Sequence, residues 1–128
     1  RGKKGTTPEV FESGLKDMIA KIQNVGARVI LCTPSVIGEK SDGSNPEDQM
    51  LDQYAAISRK VAQATGSQLL DIRQACIEYL KEHNPEQAEQ GILTYDRVHM
   101  NAEGNRFLST LVLEALGVPS ACCGAVNH

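Results

Sequence analysis

ARVILCTP, residues 27–34, is a short apolar run rich in β-branched residues and stopped by Pro34. A strand covered on both faces shows this continuous hydrophobicity, whereas a half-exposed strand would alternate. The run therefore reads as a buried strand of a parallel sheet, with residues 28–33 central in it. Helical patterns lie on both sides. Upstream, TTPEVFESGLKDMIAKIQNVG opens with Thr7 as a cap, Pro8 in the first turn and Glu9 at the positive end. Val10, Phe11, Leu15, Met18, Ile19 and Ile22 fall on one stripe, and Gly26 can end the helix. Downstream, residues 35–47 carry Gly, Pro, Ser, Asp and Asn and read as a loop.

A second helix is expected over residues 48–65, with Leu51, Tyr54, Ala55, Ser58, Val61 and Ala62 inward and Gly66 at its end. SQLLDI is a short strand. Asp71 or a neighbour opens a third helix, broken by Asn84 and Pro85. PEQAEQG is a polar linker and ILTYDRVHMN a loop. Asn101 then caps a last helix, ended by Gly117 and Pro119. This alternation implies an α/β fold of three layers, α/β/α, with a parallel sheet and its reactive groups at the carboxyl ends of the strands. Two strands are too few to cover four helices. Either another chain completes the sheet, or these residues are the C-terminal part of a larger domain whose N-terminal strands are absent.

Composition narrows the function. Of the 128 residues, 41% are hydrophobic and 23% charged, and the net charge is −3. This is an ordinary globular balance. Lys and Arg cluster only in the terminal RGKK, which argues against nucleic acid or an anionic membrane as partner. No apolar run approaches a membrane span and no signal peptide is visible, although the chain begins at Arg1 rather than Met. Cys32 and Cys76 read as buried thiols, and Cys122 and Cys123 lie in a tail, residues 118–128, that has no periodic pattern and reads as open to disorder. Unpaired cysteines lean toward a reducing, cytoplasmic compartment, a reading that a leader upstream would overrule.

The chemistry concentrates in TYDRVHMN, residues 94–101, where Asp96 precedes His99 by three. A neutral histidine is the usual general base near pH 7, and a carboxylate on one ring nitrogen fixes its tautomer. The ordinary alternative is a turn hydrogen bond from Asp96 beside a surface histidine. On the spacing alone that alternative is the commoner. Metal binding by His99 with Asp96, Cys122, Cys123 or His128 has no supporting ligand spacing, and no cofactor is implied. His83, near a helix end, reads as structural. Tyr95 either lines a pocket beside His99 or packs on the loop. Glu39, Lys40 and Asp42 read as a solvated loop, and Arg59, Lys60 and Arg73 as helix-surface charges.

The wider block, GILTYDRVHMNAEGNRFLS, resembles the C-terminal catalytic block of the SGNH (GDSL-type) hydrolases, Leu-Thr-x-Asp-Gly-Val-His-Leu-Asn followed by Gly and an apolar helix. Leu93, Thr94, Asp96, Val98, His99, Asn101 and Gly104 match. Met100 stands for Leu, and Arg97 stands for a Gly that would permit backbone conformations closed to most residues. ARVILCTPSVIGE resembles the family's late strand and loop. LDQYAAISRKVAQATGSQLLDIRQACIEYL resembles its next helix, strand and helix, and GKKGTTPEVFESGL the segment after its Asn-Asp motif. The resemblance covers residues 1–117 and implies the flavodoxin-like fold of that family and a carboxylic ester substrate. It implies His99 as the base for a serine nucleophile and Asp96 as its orienting carboxylate.

The family's Gly-Asp-Ser motif does not occur in these 128 residues. Ser35 and Ser44 lie in a rim loop, and Ser13 and Ser58 on helices, without the strand-to-helix setting a nucleophile needs. The expected function is thus a Ser-His-Asp ester hydrolase whose serine lies outside the chain, associated with a missing N-terminal part or another chain. A non-catalytic α/β interaction module stays open beside it.

Overall fold

The computed structural model describes residues 5–118. The order is α1 (Pro8–Asn24), β1 (Ile30–Cys32), α2 (Asp48–Thr65), β2 (Gln68–Leu70), α3 (Ile72–His83) and α4 (Ala102–Ala115). β1 and β2 pair in parallel, with Ile30 opposite Gln68 and Cys32 opposite Leu70. The three-layer α/β/α class holds, with a sheet of two strands among the described residues. α2 lies against both strands and α4 against β2. The tail beyond Val118, with Cys122, Cys123 and His128, lies outside the described residues, as does Pro119.

Local chemistry sets the helix ends. Thr7 accepts from the Val10 amide, Asp71 from the Gln74 amide and Asn101 from the Gly104 amide. Each satisfies one of the amides that a helix leaves without an internal partner. Gly66 ends α2 in the left-handed conformation. α2 buries Leu51, Ala55, Ser58, Val61 and Ala62, as its periodicity predicts. α1 packs on α2 through Phe11 and Tyr54, whose rings meet edge-on at 4.9 Å. A second cluster joins Val36, Cys76, Leu80 and Leu93 with Tyr79, Met100 and Phe107, and so ties α3, α4 and the 91–100 loop together.

Three expectations need correction. Cys32 is exposed rather than buried: among the described residues β1 has three residues and pairs with β2 on one edge. The α1 stripe buries only Ile19, while Val10, Met18 and Ile22 stay open, because among the described residues α1 rests on α2 rather than on the strands. Arg73 is not a surface charge but 2% exposed, with Nε on Asp52 at 2.6 Å, Nη2 on Asp48 at 3.2 Å and Nη1 on the Ser35 carbonyl at 3.1 Å. Its planar fork satisfies three groups that meet only in the folded chain.

Side chains also join the carboxyl ends of the two strands. Thr33, just past β1, donates to Asp71 (2.9 Å) and accepts from the Arg73 amide (2.9 Å). Asp71, just past β2, also takes Arg59 at 2.7 Å. That guanidinium is the chief reason the Asp71 carboxyl lies below its ordinary pKa.

Candidate active site

The loop between α3 and α4 is a closed hairpin. Thr94 and Met100 form an isolated antiparallel bridge, and the Tyr95 amide donates to the His99 carbonyl at 3.1 Å. Asp96 sits inside the turn. Its Oδ1 accepts from the amides of Val98 (3.1 Å) and His99 (2.7 Å), and its Oδ2 faces His99 Nδ1 at 2.7 Å. One carboxylate thus shapes the turn and holds the ring. These bonds, the His99 amide first and the His99 ring next, lower the Asp96 pKa to about 2. With Nδ1–H held by a carboxylate, a neutral His99 leaves Nε2 free to accept a proton.

The ring of Tyr95 lies near-parallel to that of His99, 5.8 Å between centroids, and is exposed. His99 is 67% exposed on its side chain. Among the described residues no hydroxyl reaches His99: Ser13 bonds the Val10 carbonyl and Ser58 the Tyr54 carbonyl. The carbonyl of Ser35 serves Arg73, and the amide of Ser44 bonds Asp42. His83 stacks on Tyr79 and bonds its carbonyl, a structural placement.

Position 97 carries the backbone burden that its Gly-like place implied. Arg97 adopts φ +75°, in the left-handed region. A non-glycine residue there costs about 1–2 kcal/mol. Its carbonyl accepts from the Gly38 amide at 2.8 Å, and its guanidinium meets Glu47 at 3.3 Å. These contacts hold Arg97 in that conformation. Gly38 is itself tightly placed, because a Cβ there would lie 2.4 Å from Asn45 Oδ1.

Glu39 is the residue that composition misread. It is fully buried, not solvated. Its Oε2 accepts from the Ile92 amide (2.8 Å), and its Oε1 from the Leu93 amide (2.9 Å), the Thr94 amide and the Thr94 hydroxyl (both 2.5 Å). Asn84, also buried, donates to the Glu39 carbonyl at 2.8 Å. Nothing local marks Glu39, since its partners lie 53 to 55 residues away.

Gly104 closes the far side. A Cβ there would come 2.0 Å from the Leu93 carbonyl oxygen and 2.7 Å from Met100 Sδ. Alanine is the better helix former by about 1 kcal/mol, but overpacking against fixed backbone costs typically 1–3 kcal/mol or more. The clash should win. Gly104→Ala is expected to lower the free energy of unfolding by about 1–2 kcal/mol, read as a lower urea midpoint at unchanged m. A midpoint that rose would show that α4 can move away from Leu93 freely.

Among the described residues no group of three or more His, Cys, Asp or Glu is placed to hold a metal ion, and no helix is long and apolar enough to cross a membrane.

The loop that follows the first strand of a parallel pair thus grips, through Gly38 and Glu39, a hairpin whose histidine is held by a carboxylate. Residues 2–107 match the model of the GDSL-like lipase/acylhydrolase family, and the chain belongs to that family. An acetylxylan esterase of Geobacillus stearothermophilus is 27% identical over 107 residues, 84% of this chain and 46% of that protein. The crystal structure of an acetyl xylan esterase, AlAXEase, superposes with a TM-score of 0.87 at 40% identity, over 89% of this chain and 58% of that one. An alpha/beta hydrolase enzyme from the metagenome of Lake Arreo, Spain, gives 0.76 at 26% identity, over 91% and 50%. The chain spans about half the length of the relatives it matches.

Proposed function

We propose that this chain carries the general base, His99, and the orienting carboxylate, Asp96, of a carboxylic ester hydrolase. The serine nucleophile and the oxyanion donors come from residues outside these 128. The observation that carries this reading is the 2.7 Å bond from His99 Nδ1 to Asp96, inside the hairpin of the family's catalytic block. In the reaction, neutral His99 takes the serine proton through Nε2 as the hydroxyl attacks the ester carbonyl. Asp96 stabilises the imidazolium so formed, and the ring then returns the proton to the departing alcohol. Water repeats the sequence on the acyl-serine. The names of the relatives suggest acetyl esters of xylan as the substrate class.

Two measurements test this. The complete protein should release acetate from p-nitrophenyl acetate and from acetylated xylo-oligosaccharides. The 128-residue chain alone should act on p-nitrophenyl acetate no faster than its own His99→Ala variant, because base and orienter without a nucleophile do not form an acyl-enzyme. A burst from the isolated chain that His99→Ala abolished would reveal a nucleophile within it. An inert complete protein would return the chain to the class of non-catalytic interaction modules.

A further inference from the structure

Glu39 is a fully buried carboxylate that makes no ion pair among the described residues and takes no part in the chemistry above. Its four accepted hydrogen bonds all end on Ile92, Leu93 and Thr94, where the His99 hairpin begins. Its neighbour Gly38 grips the same hairpin at its tip, through the Arg97 carbonyl at 2.8 Å. The grip is itself held: the Glu39 amide donates to the Glu89 carbonyl (3.1 Å), and its carbonyl accepts from Asn84 (2.8 Å). From Thr94 the hairpin's own bonds lead on to Met100 and, through Tyr95, to His99.

A carboxylate only accepts, so one side chain can satisfy three amides and a hydroxyl at once. A glutamine there would have to aim its own N–H groups at one set of donors. From this geometry we infer that Glu39 is a positioning residue for His99, acting through the Ile92–Thr94 end of the hairpin. The inference rests on the reading of His99 as the base.

The test uses the complete protein, with hydrolysis of p-nitrophenyl acetate and the downfield Nδ1 proton resonance of His99 as separate readouts. Glu39→Gln should lower kcat by about 10- to 100-fold with KM little changed, the loss expected when a reacting group shifts by an ångström or less. It should also shift or broaden the His99 resonance. Thr94→Val removes one donor at nearly constant shape and should give a smaller loss of the same kind, which Thr94→Ser restores. Glu9→Gln, exposed in the first turn of α1, should change neither readout.

If Glu39→Gln does not fold, the Thr94 pair decides. Folded variants of lowered melting temperature with unchanged kcat and an unchanged His99 resonance would overturn the inference and leave Glu39 as a stability residue. A wild-type protein without esterase activity would instead overturn the reading of His99, while the resonance would still report whether Glu39 positions the ring.

Discussion

His99→Ala is expected to reduce the esterase kcat of the complete protein on the order of 10⁶-fold, with KM within a few-fold of wild type. Without the imidazole the serine hydroxyl keeps its proton at neutral pH and has no acceptor for it during attack. The alcohol also leaves without a proton donor, so both halves of the acyl-transfer cycle lose the same group. Binding is little affected, because the ring acts on protons in flight rather than on the bound ester. The variant should fold: His99 is exposed, and the turn is held by bonds from Asp96 to the backbone amides of residues 98 and 99, which alanine keeps. Residual activity within tenfold of wild type would remove His99 from the role of base.

Asp96→Asn should lower turnover by roughly 10- to 10,000-fold, the upper end being that of a serine-protease triad. The geometry says why the fold survives and the chemistry does not. An Asn oxygen can still accept from the Val98 and His99 amides, as Asp96 Oδ1 does at 3.1 and 2.7 Å. Its amide nitrogen would then replace Oδ2 opposite His99 Nδ1. A donor there asks Nδ1 to accept, moves the ring proton to Nε2, and blocks the atom that must take the serine proton. Glu103→Gln is the control. Glu103 lies in the first turn of α4, exposed and paired with Arg106 at 3.3 Å. Its loss should change stability by roughly a few tenths of a kcal/mol through the helix dipole and leave kcat unchanged. The reverse pattern, with Asp96→Asn fully active and Glu103→Gln dead, would transfer the orienting role.

The pH dependence follows with a definite sign. Asp96 in the folded hairpin titrates at about 2, below its ordinary 3.8. A depressed carboxylate favours the fold above its ordinary pKa and loses that contribution as pH falls through the folded value. Asp96 is therefore ionised throughout the neutral and mildly acidic range. A loss of kcat/KM between pH 4 and 8 belongs to another group, and stability lost between about pH 4 and 2 should be smaller in Asp96→Asn.

What was legible in the sequence was local. Thr7, Asp71 and Asn101 cap helices by reaching amides three residues on. The Asp96–His99 bond spans the same three residues, and the inward face of α2 is one period repeated. Interactions this short are set by bond geometry, whatever the rest of the chain does. The sequence by itself thus determined the element order, and with it the parallel class of the sheet, while the Asp–His pair was singled out by the resemblance of the 91–109 block rather than by its spacing.

Burial and distant partners were decided by tertiary structure alone. Glu39 looked like a solvated loop residue until the hairpin 53 to 55 residues later supplied four donors. Arg73 looked like a helix-surface charge until Asp48, Asp52 and Ser35 converged on it. Cys32 looked buried but is exposed, on a strand that among the described residues pairs with β2 alone. Gly104 looked like a motif letter until Leu93 came within 2.0 Å of where a Cβ would stand. Desolvating a charge is costly unless partners meet it, and those partners are brought together only by the packing of the whole domain.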